Sequence, residues 1–330
     1  MPAGPPDSIA IAPYRPEHAQ GVLVLLTATL GWDTDPRHAR LFRWKHHDNP
    51  FGPSPAWVAL DAGRVVAFRA FMRWEVTHNG ASLLAVRAVD TATHPDYQGR
   101  GLFRQLTLAG LDELRDQGVA FVFNTPNDQS RPGYLKMGWQ LIGRLPVVVR
   151  PRSLRAVRRL SSARVPAALW SIPTSAGHDP VEVLSDTDAV ERLLATQRPT
   201  ARLQTAWSAR YLSWRYGAGP LGYRAILAGK RLHEGLLLFR LRRRGPLVEA
   251  AVGNLIVPAG SPRLARNLVQ RALTASRADY SIRLASDGMA RSGHLPLPGQ
   301  GPMLAGRSLT LAALPTLAQW SLTLGDVELF

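Results

Sequence analysis

Cysteine is missing from all 330 residues. That excludes disulfides, thiolate metal sites and a cysteine nucleophile, and it fits a reducing compartment. Long apolar runs are missing too. The stretch from Gly21 to Leu30 is among the longest, and it is too short to span a bilayer. The opening residues, MPAGPPDSIAIAPYRP, have no basic region followed by an apolar core, so no secretory leader is expected. These absences lead to the expectation of a cytoplasmic protein. Acidic residues are scarce: 24 Asp and Glu stand against 40 Lys and Arg, for a net charge of +16. Such an excess points to an anionic partner, whether nucleic acid, a membrane face or an acidic ligand. The clusters are Arg150 to Arg159 and Arg240 to Arg244. Neither is interleaved with stacking aromatics, which argues against a single-strand groove. The plainer reading is a set of solvated basic faces. The hydrophobic content of 45% is that of a globular chain, and the length allows two domains.

The most informative stretch runs from Val89 to Gln105, VDTATHPDYQGRGLFRQ. β-Branched Thr91 and Thr93 precede His94-Pro95, where a strand must end. Gly99 and Gly101 let backbone N–H groups face one hollow with no Cβ in the way. Leu102, Leu106 and Leu111 then follow near helical spacing. A glycine turn opening a helix suits phosphate, because free N–H groups and the helix dipole face the ligand together. Arg100 adds charge. The turn lacks the Lys of a P-loop, and Arg104 stands where a dinucleotide fingerprint needs its third glycine.

Upstream, a first strand over Ser8 to Ala12 is followed by a helix from Pro16 to about Leu30, with Val22, Leu25, Leu26 and Leu30 on one side. A second helix carries Leu41, Phe42 and Trp44. Strands are expected over Ala56 to Leu60, Val65 to Glu75 and Leu83 to Thr93, with turns at Asp61-Ala62-Gly63-Arg64 and His78-Asn79-Gly80. Downstream, the helix ends at Gly118, and Val119 to Phe123 has the composition of a buried strand. A short helix through Tyr134 and Lys136 leads to Gly138-Trp139. The fold class expected from this order is α+β. The segment from Ser153 to Pro173 reads as a basic connecting helix. His46-His47-Asp48 is not expected to bind metal, since adjacent His side chains diverge.

This order resembles the GNAT superfamily of acetyl-CoA-dependent N-acetyltransferases. Gln98-Gly99-Arg100-Gly101-Leu102-Phe103 matches the family's phosphate turn at Gln98 and Gly101, with Phe103 in place of a small residue. Asn127, Tyr134, Lys136, Gly138 and Trp139 match the later motif. The resemblance is specific from about Ala56 to Ile142. It implies a mixed, mostly antiparallel sheet flanked by helices, with acetyl-CoA as acyl donor and no metal. It also implies that Val89, Thr91 and Thr93 hold the pantetheine arm, in the gap where this strand splays from Phe121 to Asn124. The amides of Gln98 to Phe103, with Arg100, would take the pyrophosphate, and Asn127 the arm or a water. Tyr134 would protonate the leaving thiolate. Asp90 is the first choice for general base, with Glu75 and His94 as rivals. Phe103 fits at this place if its ring turns toward the sheet.

The second half repeats landmarks of the first. Leu41-Phe42-Arg43-Trp44-Lys45 returns as Tyr211-Leu212-Ser213-Trp214-Arg215. The turn at Asp61 to Arg64 returns at Ala228 to Arg231, and the strand before His94-Pro95 returns as Ala250 to Val257 before Pro258. Where the first copy has Gln98, Gly99 and Gly101, the second has Ser261, Pro262 and Leu264. Pro262 lacks a donor and Leu264 restores a Cβ. The expected organisation is a catalytic domain over 1–150, a basic linker over 151–180 and a degenerate copy over 181–330. That copy would wall the acceptor pocket or only stabilise the first. The expected activity is transfer of an acetyl group to a primary amine, such as that of an amino sugar, by direct attack in a ternary complex. The other reading is a non-catalytic adaptor that binds coenzyme A or nucleic acid.

Overall fold

The computed structural model describes residues 9–32, 35–162, 165–217, 219–285 and 293–328. The chain divides into two compact units. Unit 1 comprises Met1–Val76, Leu83–Ile142 and Leu304–Leu314, and unit 2 comprises Thr77–Ser82, Gly143–Met303 and Pro315–Phe330. The chain begins β1 (Ala10–Pro13), α1 (Ala19–Leu30), α2 (Arg37–His46), β2 (Ala56–Asp61), β3 (Arg64–His78), β4 (Ala81–Thr93), α3 (Leu102–Asp116), β5 (Phe121–Asn124), α4 (Arg131–Lys136) and β6 (Gln140–Arg144). It continues β7 (Val147–Pro151), α5 (Leu154–Ser162), α6 (Pro180–Leu184), α7 (Thr187–Ala195), β8 (Gln204–Thr205), α8 (Ala209–Leu212), β9 (Arg224–Leu227) and β10 (Leu236–Arg244). It ends β11 (Leu247–Ile256), α9 (Pro262–Ser276), β12 (Tyr280–Leu284), β13 (Leu295–Leu297), β14 (Met303–Ser308) and α10 (Leu324–Val327). The fold class is α+β, with mixed sheets flanked by helices. Among the described residues, no helix is long and apolar enough to cross a membrane.

The first sheet runs β1-β2-β3-β4-β5-β14-β6. Its first two tight turns place Ala62, Gly63, Asn79 and Gly80 at positive φ, the backbone that closes a hairpin with the strands' own twist. β5 then lies parallel to β4, with α3 as the crossover. Helices cover both faces of the sheet. On one face Trp57, Ala67 and Phe71 pack with Leu102, Leu106 and Leu111 of α3. On the other, Val58, Phe68 and Ala70 pack with Leu25 and Leu26 of α1 and Phe42 of α2. The alternation along β2 and β3 is that of pleated strands buried on both sides. β14 was not foreseen: it pairs antiparallel with β5, Ala305 opposite Asn124.

The second sheet runs β13-β7-β12-β11-β10-β9. An antiparallel hairpin β10–β11 leads through α9 to β12, which lies parallel to β11. The hairpin–helix–parallel strand order of unit 1 thus recurs. β7 joins this sheet by pairing with β12. The connecting helix is shorter than expected: α5 stops at Ser162, and Pro166 follows four residues on, where a helix would lose a backbone donor. The 240–244 cluster is not simply a solvated basic face. Arg240 and Arg242 pair with buried Glu328, and Arg242 and Arg244 pair with buried Glu249. These three arginines therefore serve internal ion pairs.

Gly110 sits in mid-α3, where a Cβ would come within 2.8 Å of Trp57 and 2.9 Å of Phe71. Helix propensity alone would favour a larger residue there. Gly110→Val is expected to destabilise unit 1 by about 2 kcal/mol through overpacking. Chemical denaturation checks this, and an unchanged midpoint would contradict it.

Candidate active site

β4 is the strand on which the site is built. Its pairing with β5 spans Ala85, Val86 and Arg87 opposite Phe121, Val122 and Phe123. β4 then continues to Thr93, while β5 ends at Asn124, so Val89 to Thr93 run on past the end of that pairing. The facing of β4 also changes there. Val86 and Ala88 belong to the α3-side cluster, whereas Ala92 belongs to the α1/α2-side cluster. Residues an even number apart share a face in a regular strand, so one residue between them breaks the alternation. Asp90 is that residue, with φ of +42°. Such a backbone costs a non-glycine residue about 1–3 kcal/mol and persists only where its surroundings impose it.

The imposing contacts come from α2. Lys45 Nζ lies 2.5 Å from Asp90 Oδ2 and His46 Nε2 lies 2.7 Å from the same oxygen, with all three side chains buried. His46 Nδ1 meets Ser54 Oγ at 2.9 Å. Burial alone would push the Asp90 carboxyl up, but the Lys45 charge and the His46 hydrogen bond outweigh it and hold it at about 2. Burial pushes the His46 imidazole down, more than Asp90 restores. Neutral His46 therefore donates from Nε2 to Asp90 and accepts from Ser54 at Nδ1. A carboxylate so engaged is a poor acceptor for an ammonium proton. The rival His94 is occupied by Arg64, whose Nη2 lies 2.8 Å from Nε2. His46 of the His-His-Asp run is committed to Asp90 and Ser54, and Asp48 faces Arg43 at 3.5 Å.

The turn after β4 has the backbone its glycines allow. Gly99 and Gly101 have φ of +77° and +75°, and Gly101 is the N-cap of α3 with no side chain capping the first turn. The amides of Leu102, Phe103 and Arg104 are thus left for a ligand or solvent. Gln98 donates to Thr93 O at 3.5 Å, and Thr91 Oγ1 to Phe68 O at 3.4 Å. Arg100 is exposed and folds over the Tyr97 ring at 4.7 Å. The Phe103 ring turns toward α4: it sits edge-on to Tyr134 at 5.3 Å and fills the space a Cβ on Gly133 would need. The large residue therefore ties the start of α3 to α4.

Tyr134 is buried on the α3 side of the sheet, the face opposite the Asp90 carboxylate. Its hydroxyl accepts a hydrogen bond from Arg69 Nη1 at 2.7 Å. Asn127 is exposed in the turn before α4, its Oδ1 accepting from Ser130 N and Oγ, each at 2.8 Å. Its amide hydrogens point elsewhere. Lys136 is exposed.

Comparison with known proteins gives a family for part of the chain. Residues 10–142 match the family described as Acetyltransferase (GNAT) domain. The chain carries a GNAT acetyltransferase domain. A mycothiol acetyltransferase from Thermobifida fusca is 36% identical over 101 residues, 28% of this chain and 30% of that protein. One from Rhodococcus jostii is 29% identical over 151 residues, 41% of this chain and 47% of that protein. The matched stretch thus spans less than half of either relative. Among solved structures, a GCN5-related N-acetyltransferase from Kribbella flavida has a TM-score of 0.61 at 14% identity, covering 92% of this chain and 71% of that one. Another from Anabaena variabilis has a TM-score of 0.62 at 12% identity, covering 92% and 73%. These likenesses concern the fold.

Within the GNAT domain the sequence reading missed Arg69, Lys45 and His46. Arg69 had a signal, a lone charge inside the apolar run Val65 to Phe71. Lys45 and His46 had none, because their partner is more than forty residues away.

The buried imidazole also sets a pH dependence. Folding favours its neutral form, so its contribution is full above the unfolded value of ~6.5 and falls as pH drops below that. The Asp90 contribution is lost at lower pH, as acidification passes from the unfolded ~3.9 down through the folded value. The melting temperature should fall between about pH 7 and pH 5, and His46→Gln should flatten that fall. An undiminished slope in the variant would contradict the assignment.

Proposed function

We propose that the protein is an N-acyltransferase that moves an acetyl group from acetyl-CoA to a primary amine of a small molecule, by direct attack in a ternary complex. The observation that carries this is the conjunction of two features on one strand. β4 loses its β5 partner after Arg87, and it runs into a turn with two left-handed glycines and an uncapped helix start. In this reading the free edge of Val89, Thr91 and Thr93 pairs with the pantetheine arm as an added strand would. A backbone N–H near Thr91 polarises the thioester carbonyl. Amides from Gln98, Gly99, Arg100, Gly101, Leu102 and Phe103 bind the pyrophosphate, with the Arg100 side chain adding charge. The Asn127 amide reaches the arm.

Tyr134 is the general acid. Its oxygen already accepts from Arg69, so its own hydrogen is directed elsewhere. Asp90 holds the break in β4 rather than taking the amine proton, and the amine enters neutral and sheds its proton to water. Unit 2, with Ser261 and Pro262 opening α9, offers one donor fewer and plays an acceptor-side or stabilising role. The relatives named for mycothiol make that compound class the first to include in an acceptor panel, beside amino sugars.

An amine panel with acetyl-CoA, read by release of free thiol, tests the reading. Tyr134→Phe should lower kcat by about 100-fold, the scale of general-acid catalysis, with acetyl-CoA binding nearly unchanged. An unaltered rate would remove Tyr134 from this role.

A further inference from the structure

Arg69 lies in the middle of β3 with its side chain wholly buried. The guanidinium touches the rings of Phe71, Tyr134 and Phe103, at 4.5, 5.3 and 5.8 Å from their centroids. Its Nη1 donates to the Tyr134 hydroxyl. Its Nε and Nη2 are buried and find no acceptor among the described residues, and no described carboxylate pairs with it. A guanidinium does not lose its proton in a protein, and a buried charge without a counter-charge is costly. Among the described contacts of the guanidinium the titratable partner is Tyr134, and its other ring neighbours are Phe103 of α3 and Phe71 of its own strand.

We propose that Arg69 is the positioning residue of the leaving-group step and that its buried charge is matched by the anion this step creates. The inference rests on the acetyl-CoA reading above. In the step, the amine nitrogen bonds the acetyl carbon, the C–S bond breaks, and its electron pair goes to sulfur. Sulfur takes the proton of Tyr134, whose oxygen becomes an anion beside Arg69. The proton shed by the new amide nitrogen reaches solvent, and solvent returns one to Tyr134. Arg69 acts twice. By donating to the Tyr134 oxygen it leaves the hydroxyl hydrogen free to face the sulfur. Its fixed charge then offsets the single negative charge as it passes from the sulfur to the tyrosyl oxygen, in surroundings too apolar for water to do so.

Two measurements test this. The first uses the wild-type protein alone, so it does not depend on how a variant folds. Affinity is measured by calorimetry for coenzyme A and for its analogue lacking the sulfur atom, from pH 6.5 to pH 9. The preference for coenzyme A should grow about tenfold as the pH approaches the range where a thiol ionises, ~8.5. A preference flat with pH overturns the proposal while leaving the acetyl-CoA reading intact. Binding of neither compound removes that reading and the proposal with it. The second is a kinetic cycle. Arg69→Gln should lower kcat about 100-fold with KM for acetyl-CoA nearly unchanged, yet cost at most about twofold in a Tyr134→Phe background, because groups acting as a unit are not additive. Arg69→Lys should recover part of the rate. Equal losses in both backgrounds would mean that Arg69 only supports the fold.

Discussion

The site depends on one buried contact, the carboxylate of Asp90 held between Lys45 and His46. Asp90 sits at positive φ in the middle of a long strand, a conformation an aspartate adopts only when something holds it there. Two donors from α2 do so. The result is a strand that changes facing after Ala88 and has already parted from β5. An edge inside a sheet leaves backbone donors and acceptors that need a partner, and the extended arm of a thioester carrier is a partner of suitable shape. Removing Lys45 would leave the buried Asp90 carboxylate without its counter-charge, at a cost of about 3–5 kcal/mol, whereas removing neutral His46 would take away one hydrogen bond to it.

The two faces of the first sheet divide the work. The α1/α2 face carries the ion pairs that shape β4. The α3/α4 face carries Tyr134, the proposed acid, and the Arg69 guanidinium, with Phe103 packed into the space at Gly133. Permanent charges therefore lie on both faces of this sheet, each for a different reason. One fixes a backbone. The other has two guanidinium nitrogens with no acceptor among the described residues, where the proposed step would place negative charge. The second sheet repeats the hairpin, crossover helix and parallel strand, but α9 opens with Ser261 and Pro262 instead of a turn with two left-handed glycines.

Some of this was legible in the sequence and some was not. The glycine turn was, because a positive φ at Gly99 and Gly101 is a local requirement that only a few residue types meet. The hairpins at Gly63 and Gly80 were readable for the same reason. β14 and β7 were not legible: each short strand pairs with residues more than a hundred positions away, and no local pattern encodes such a choice. Asp90 was picked out by its place beside the thioester strand, but its ion pair with α2 was hidden because Lys45 and His46 look like ordinary surface residues of a basic helix. The packing of Phe103 was only partly legible: its ring lies 5.8 Å from the Arg69 guanidinium of β3 and also meets Tyr134 of α4, where Gly133 leaves room.

The central claim is that one continuous stretch, from the break in β4 through the glycine turn, receives the acyl donor. Hydrogen–deuterium exchange with and without acetyl-CoA measures it amide by amide. The account predicts slowed exchange over Val89 to Thr93 and over Gln98 to Phe103, with the amides from Gly260 to Leu264 unaffected. Protection at the 260–264 turn instead, or at neither turn, would contradict it.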